Sequence, residues 1–252
     1  MFLIERHQAI LDLLNNNKSV TVKDLSFKLK TGEATIRRDL AKLEQAGELK
    51  RTHGGAVLYS RFQSEIPLIV RESEKEDEKK QIAGFASRLI HDGDFLIMDS
   101  SSTTLRMIPY LKNFNNLTVL TNGAKTAVDL AGIPGIKVYS TGGLLREKSL
   151  SYIGSAANKQ VSNFNADLLF FSCRALSMEK GLSDFDEREA SLRKEMIRAG
   201  RKVVLLCDRS KFDETSYYRI GAIDCISTIV TDSKPPETWI DYLVDRQIEL
   251  IY

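Results

Sequence analysis

Apolar residues recur at helical spacing in three short stretches of the first fifty residues. The three stripes consist of Ile4, Ile10, Leu11 and Leu14, then of Val22, Leu25 and Leu29, and finally of Ile36, Leu40 and Leu43. This spacing predicts three short helices. Gly32 lies in the turn before the third helix, and Ala46-Gly47 gives that helix a C-terminal stop. Two short helices joined by a tight, glycine-containing turn predict a helix-turn-helix.

The polar face of the third predicted helix is suited to DNA. Thr35, Arg37, Arg38 and Lys42 all fall off its apolar stripe. Recognition helices use such hydroxyl and guanidinium groups on base edges and phosphates, whereas Lys42 would act as a point charge. The alternative is a solvated helical face on which Arg37 or Arg38 pairs with a neighbouring acid.

Two short strand patterns follow this helix. Glu48–Thr52 and Ala56–Tyr59 flank His53-Gly54-Gly55, and the two glycines are expected to supply the positive φ of a hairpin turn. A basic hairpin in this position is typical of a wing. It would lay Arg51 and His53 along the DNA backbone or minor groove.

Beyond a polar, charge-dense stretch, short apolar runs alternate with helical patterns. The runs are Phe95–Met98, Leu117–Leu120, Ile136–Tyr139, Asp167–Phe171, Lys202–Cys207 and Ile226–Val230. This alternation predicts an α/β domain built on a mainly parallel, two-sided sheet. The domain boundaries that follow are a winged helix-turn-helix over 1–59, a linker over 60–78 and an α/β effector domain over 79–252.

Nearly every one of these apolar runs ends in small polar residues. The endings are Asp99–Thr104, Thr121–Gly123, Ser140–Gly143, Ser172–Arg174, Asp208–Lys211 and Thr231-Asp232. In an open α/β sheet these tips meet at one edge, where ligands bind. Hydroxyls, glycine amides and a lysine suit a phosphate, and the helix that opens at Thr103 would favour an anion through its dipole. Alternatively, such residues simply cap helices and form turns.

Bulk properties place the chain among globular proteins of a reducing compartment. Of its 252 residues, 42% are hydrophobic and 28% are charged, and no apolar run is long enough to span a bilayer. Charge appears at Glu5, which argues against a signal peptide, and the three cysteines are too few and scattered for disulfides or zinc. We therefore expect a cytoplasmic protein with no metal and no cofactor. His7 and His91 are expected on helix surfaces, without a chemical role.

Net charge differs between the two parts of the chain. Residues 1–61 carry 11 Lys and Arg against 7 Asp and Glu, a net of +4, and the remainder carries a net of −2. A basic first part is consistent with nucleic-acid binding by that part alone.

The run Thr35-Ile36-Arg37-Arg38-Asp39-Leu40, together with Arg51-Thr52-His53-Gly54-Gly55-Ala56-Val57, resembles the signature of DeoR-family bacterial regulators. That family usually caps this helix with Ser or Thr, whereas Gly32 occupies the cap position here. Glycine costs a cap only tenths of a kcal/mol, so the helix still forms while a hydroxyl that could touch phosphate is absent.

The resemblance continues through the second part of the chain. Asp99 with Ser102-Thr103-Thr104, then Thr121-Asn122-Gly123, Gly142-Gly143 and Asp208-Arg209-Ser210-Lys211 are similar to the family's effector domain, a fold like those of ribose-5-phosphate isomerases and CoA-transferase subunits. Carried over by position, the resemblance implies a phosphate held by Ser102, Thr103 and Thr104. It further implies Asn122, Gly143, Arg146 and Lys211 as ligand neighbours, and Asp99 and Asp208 near the ligand's hydroxyls. Ser101 and Ala175 replace usual glycines, and a side chain at Ser101 is expected to narrow the loop.

These observations predict a repressor of a carbohydrate-metabolism operon that a phosphorylated sugar releases from operator DNA. Because winged helices usually read repeated half-sites, a homodimer or homotetramer is expected. One alternative is a sugar-phosphate isomerase-like enzyme that uses Asp99, Asp208 and Lys211 as acid and base. The chain shows no further catalytic constellation, so we expect no enzymatic activity. An activator, or a regulator with an unphosphorylated ligand, also fits the sequence.

Overall fold

A computed structural model describes residues 3–17, 19–45, 48–52, 54–58 and 65–252. The chain forms two compact units, Met1–Ile66 and Pro67–Tyr252.

The first unit consists of three helices and a small antiparallel sheet. The elements are α1 (Leu3–Asn17), β1 (Ser19–Thr21), α2 (Val22–Lys28), α3 (Glu33–Gln45), β2 (Leu49–Thr52) and β3 (Gly55–Leu58). Strand β3 lies between β1 and β2. The predicted stripes meet in one core that includes Ile10, Leu25, Ile36 and Leu40, whereas Ile4 of the first stripe is exposed. The three helices and the hairpin are confirmed. Strand β1 had no clear sequence signal.

The hairpin glycines act differently from the prediction. Neither Gly54 nor Gly55 has a positive φ. Gly55 is instead required for close packing, because a Cβ there would lie 2.0 Å from the carbonyl oxygen of Val20 on the neighbouring strand β1. No ordinary side chain fits at that distance.

The second unit is an α/β domain. Its helices are α4 (Leu68–Ser73), α5 (Glu76–Ser87), α6 (Ser102–Leu105), α7 (Ile108–Leu111), α8 (Ala124–Ala131), α9 (Ser155–Val161), α10 (Glu187–Ala199) and α11 (Glu237–Asp245). Its strands are β4 (Phe95–Met98), β5 (Leu117–Thr121), β6 (Ile136–Ser140), β7 (Leu144–Arg146), β8 (Ser151–Ile153), β9 (Ala166–Phe171), β10 (Ala175–Ser177), β11 (Gly181–Asp184), β12 (Gly200–Leu206), β13 (Tyr218–Gly221), β14 (Thr228–Val230) and β15 (Glu249–Ile251).

A seven-stranded sheet, ordered β15-β14-β12-β9-β4-β5-β6 and parallel throughout, forms the centre of this unit. Apolar clusters cover both of its faces, and successive residues of β4 alternate between them: Ile97 packs in one cluster, Leu96 and Met98 in the other. The predicted two-sided parallel sheet is confirmed. The chain winds outwards in both directions from β4 and β9, so their carboxyl ends form the topological switch point at which doubly wound sheets bind ligands.

The predicted linker over 60–78 requires correction. Helix α4 begins at Leu68, which is 2% exposed and packs in the second unit's core beside Ile82. The N–H of Leu68 donates to the carbonyl oxygen of Lys148, 2.7 Å away. The sequence did not predict this helix because its many charged residues resemble those of a solvated linker. In the structure its polar residues form bonds within the domain.

Candidate functional site

The first candidate site is the exposed face of α3. Arg37, Arg38 and Lys42 are exposed and Thr35 is half-buried, whereas Ile36 and Leu40 are buried. The N–H of Ile36 donates to the carbonyl oxygen of Gly32 (3.1 Å), so Gly32 caps the helix as expected. The hydroxyl and basic groups singled out from the sequence therefore lie on the side of α3 away from its core.

The cations predicted to contact DNA differ in how they are paired. Arg37 contacts Glu33 at 3.6 Å, and Arg51 contacts Glu44 at 2.8 Å. Arg38 and Lys42 form no ion pair with any residue that the structure describes. His53, the second predicted wing residue, lies outside the described residues. Arg38 and Lys42 are thus the cations best placed to meet phosphates or base edges.

The second candidate site is the carboxyl edge of the parallel sheet. At the switch point, the Ser172 N–H after β9 donates to Asp99 Oδ2 after β4 (3.2 Å). The Asn122 side-chain nitrogen after β5 lies 3.4 Å from Ser100 Oγ, and Lys211 Nζ after β12 donates to Ser172 Oγ (2.8 Å). Four strand ends therefore converge on one buried polar cluster.

Asp99 is fully engaged inside this cluster. Its Oδ1 accepts from the Ser101 N–H (3.0 Å) and the Thr104 hydroxyl (3.0 Å). Its Oδ2 accepts from Ser172 and from Nε (3.2 Å) and Nη2 (3.0 Å) of Arg193. Because both oxygens already have their donors, Asp99 builds the loop rather than presenting a free acceptor to a sugar hydroxyl.

The hydroxyl groups of the loop after β4 fall into two groups, those bonded within the loop and those without a described partner. Ser101 caps α6 by accepting from the Thr104 N–H (3.2 Å), and the Thr104 hydroxyl bonds back to Asp99. Ser101 thus turns towards the helix instead of narrowing the loop. The hydroxyls of Ser102 and Thr103 form no hydrogen bond with any described residue. Helix α6 has only four residues, so its dipole adds little to anion binding.

Three lysines surround Asp208, and two of them are outside the sequence prediction. Lys75 Nζ lies 2.8 Å from Asp208 Oδ1, and Lys211 Nζ lies 3.9 Å from Oδ2. Burial alone would raise the pKa of Asp208, but Lys211 and the hydrogen bonds from Lys75 and Ser210 outweigh burial and hold that pKa well below its usual range. Asp208 is therefore an ionised carboxylate, and its Oδ2 retains room for another donor.

Lys79 is the third lysine of this group and is only 5% exposed. Its ammonium donates to the carbonyl oxygens of Arg71 and Glu74. Burial, reinforced by repulsion from Lys211, lowers the pKa of Lys79 to about 8. Even counting Glu74, whose charge also acts on Lys79, the three ammonium groups exceed the nearby carboxylates.

The remaining predicted residues form the flank of the cluster. Asn122 Nδ2 also lies 3.3 Å from the carbonyl oxygen of Tyr152, and Asn122 Oδ1 is buried without a partner among the described residues. Gly143 has a φ of +110°, and a Cβ there would lie 2.7 Å from the carbonyl oxygen of Ile153. Arg146 is held by Glu189 (3.0 Å) and Asp186 (3.2 Å).

A buried charge network joins this flank to Asp99. Arg193 contacts Asp99 (3.0 Å), Asp184 (3.1 Å) and Glu189 (3.1 Å). Burial would lower the pKa of Arg193, but these three carboxylates more than reverse that effect. Arg146 and Arg193 are thereby committed to internal partners.

Other chemistries find no support in the described ranges. No group of three His, Cys, Asp or Glu side chains is arranged to hold a metal ion there. Among the helices that the structure describes, none is long and apolar enough to cross a membrane.

Family models match both parts of the chain. Residues 6–62 match the DeoR-like helix-turn-helix domain, and residues 74–233 match the DeoR C-terminal sensor domain. The chain is 37% identical to the transcriptional regulator GolR of Listeria innocua over 93% of this chain and 92% of that protein. It is 36% identical to the regulator YulB of Bacillus subtilis (99% and 96%) and 32% identical to the repressor GlcR of the same organism (100% and 96%).

Among solved structures, ribose 5-phosphate isomerase A from Methanocaldococcus jannaschii matches with 16% identity, a TM-score of 0.41 and 55% of each chain covered. The tetrameric eIF2B-β2-δ2 complex from C. thermophilum matches with 18% identity and a TM-score of 0.46, covering 66% of this chain and 59% of the matched chain.

Proposed function

This chain belongs to the DeoR family of helix-turn-helix transcriptional regulators, and we propose that it represses a carbohydrate-metabolism operon until a phosphorylated sugar releases it from DNA. In this proposal α3 enters the major groove, with Thr35, Arg38 and Lys42 towards bases and phosphates. Arg37 also contacts the DNA once its ion pair with Glu33 is broken. Arg51 and His53 contact the adjacent DNA backbone.

The observation that carries the effector part is the lysine surplus around Asp208. Lys75, Lys79 and Lys211 converge at the proposed ligand-binding edge of the sheet, and a phosphate would supply negative charge to a group in which ammonium groups outnumber carboxylates. The free hydroxyls of Ser102 and Thr103 would add donors. Asn122 Oδ1 and Asp208 Oδ2 would accept from the sugar's hydroxyls.

This site also offers a route to the DNA-binding unit. Helix α4 follows that unit directly in the chain and is tied to the site through several contacts. Lys79 binds the carbonyl oxygens of Arg71 in α4 and of Glu74 just after it, and Arg106 donates to that of Glu72 in α4 (2.6 Å). Lys75, just after α4, pairs with Asp208. A phosphate that competes with Asp208 for Lys75 would act on this segment, and a coupling of ~1–3 kcal/mol is typical of such regulation.

The test is DNA binding by the full-length protein at controlled salt, with and without a panel of sugar phosphates and their parent sugars. We expect one phosphorylated sugar to release the DNA and its parent sugar to have no effect. Lys211→Met should abolish that response and retain DNA binding, whereas Lys112→Met, at an exposed position, should behave as wild type. DNA binding that no phosphorylated compound alters would contradict the effector part alone.

We further propose a homodimer or homotetramer, because repeated half-sites are read by paired recognition helices. Light scattering of the full chain, free and on a duplex, measures this directly. A monomer bound to a single half-site would contradict it.

A further inference from the structure

Asp39 is a buried carboxylate in the middle of the recognition helix. Only 3% of its side chain is exposed, and it lies among the buried residues Ile36, Leu40 and Leu43 of α3. Charged side chains are rarely buried to this degree unless they are paired. Asp39 therefore has a role other than contacting DNA, although it directly follows the exposed Arg38.

Two residues of α1 bind this carboxylate. Arg6 forms a fork, with Nε 2.6 Å from Oδ2 and Nη2 3.3 Å from Oδ1. His7 Nε2 lies 3.2 Å from Oδ1. Burial would raise the pKa of Asp39, but the hydrogen bonds from Arg6 and His7 outweigh it and lower that pKa. His7 thus has a structural partner, contrary to the surface role expected from the sequence.

The fork supplies directional information that the surrounding apolar contacts lack. Hydrophobic packing of Ile10 and Leu14 against Ile36 and Leu40 depends on buried area and tolerates small rotations of α3. A bidentate guanidinium–carboxylate pair is specific in both distance and angle. With a helix radius of about 5–6 Å including side chains, a rotation of about 20° moves a surface group by about 2 Å. Such a displacement breaks a hydrogen bond to a base.

We propose that the Arg6–Asp39 pair is a positioning device that fixes the rotation of α3 about its axis and thereby sets operator discrimination. Neither side chain contacts DNA in this arrangement. The pair acts through the groups of α3 that meet base edges, such as Thr35, which it holds at one angle to the groove, whereas Arg38 meets a phosphate. The proposal rests on the DNA-binding role given above and adds the residues that determine its specificity.

A positioning role and a purely structural role predict different results for an apolar replacement. Exchanging a buried ion pair for well-packed apolar residues often leaves stability unchanged or improved. The double variant Arg6→Met/Asp39→Leu should therefore retain the melting temperature of the first unit. If the pair positions α3, the variant should still lose its preference for the operator.

The experiment compares two duplexes in full-length protein: one selected by the wild-type protein from a random library, and one with the same bases in scrambled order. In the double variant we expect affinity for the selected duplex to fall roughly ten- to a hundredfold, the range of one or two lost base contacts. Affinity for the scrambled duplex and the salt dependence should stay unchanged. Arg38→Ala is the contrasting control, because losing a phosphate contact reduces the salt slope by about 0.9.

Arg6→Lys provides a second variant that keeps the charge but loses the fork. It should show a smaller loss of discrimination at an unchanged melting temperature, and it decides the matter if the double variant does not fold. Wild-type discrimination in a folded double variant, or in Arg6→Lys where the double variant is unfolded, would overturn the proposal. A wild-type protein that selects no duplex would instead refute the DNA-binding role itself.

Discussion

Replacing Asp99 by Asn tests whether this residue is a ligand contact or a structural centre. Its sequence position suggested an acceptor for sugar hydroxyls, whereas the structure gives its two oxygens four N–H donors and places the Thr104 hydroxyl 3.0 Å from Oδ1. Asparagine offers one acceptor oxygen and one NH2 group. In either orientation the NH2 group faces a backbone N–H, that of Ser101 or Ser172, so a buried donor is left unsatisfied.

The expected loss of stability follows from these contacts. A buried unsatisfied donor costs about 1–3 kcal/mol, and a hydrogen bond to a charged group contributes about 1.5–3 kcal/mol. Arg193 would keep Asp184 and Glu189 as partners, which limits the electrostatic damage. We therefore expect Asp99→Asn to lower the unfolding free energy of the second unit by ~3–5 kcal/mol. For a unit of this size that corresponds to a melting temperature lower by roughly 6–20 °C.

Thermal unfolding of the ligand-free protein, followed by circular dichroism, measures this effect. Asp129→Asn is the matched control, because Asp129 forms an exposed pair with Lys125, and such pairs contribute little. The reasoning is refuted if Asp99→Asn melts with the wild type and loses only its response to a sugar phosphate. That result would mean that Asp99 accepts hydrogen bonds from the ligand.

Three further predictions concern other parts of the chain. Arg38→Ala should weaken binding to every duplex at low salt more than Arg37→Ala does, because Arg37 must first give up Glu33; fluorescence anisotropy across a salt series measures both. Gly143→Ala should lower the melting temperature, since its Cβ would approach a carbonyl oxygen to 2.7 Å at a φ of +110°; an unchanged melt would contradict that. Because the pKa of Lys79 is lowered from 10.5 to about 8 by burial, the folded state loses this proton before the unfolded chain does. Stability should therefore rise between pH 8 and 10.5, and urea titrations of Lys79→Met should show a flatter profile.

The main elements of the fold could be predicted because their apolar patterns are unambiguous. Ile36, Leu40 and Leu43 recur at helical spacing, and Phe95–Met98 reads as a strand buried on both faces, as the structure shows. Strand β15 is only three residues long and follows α11 after a short turn, so its pattern is too brief to distinguish from a loop. The small antiparallel strands β10, β11 and β13 are likewise too short for their sequence patterns to be told from loops.

The candidate effector site could be predicted only in part. The polar strand ends locate its edge, because parallel strands bring their carboxyl ends together. Which groups are already paired depends on contacts distant in sequence, such as Arg193 with Asp99. Lys75 and Lys79 were missed because they belong to a charge-dense run that resembles a solvated linker. The buried state of Lys79 and the pairing of Lys75 with Asp208 appear only once α5 packs on the sheet.

Buried charge has two different consequences in this protein. The carboxylates of Asp39 and Asp99 are matched by guanidinium groups and further hydrogen bonds, and such arrangements hold elements in place. Around Asp208 the lysines exceed the carboxylates, and Lys79 loses part of its preference for the charged state. An incompletely balanced group of cations at the proposed ligand-binding edge gains most from an added anion. The charge of the ligand, more than the identity of its sugar, should therefore dominate its affinity.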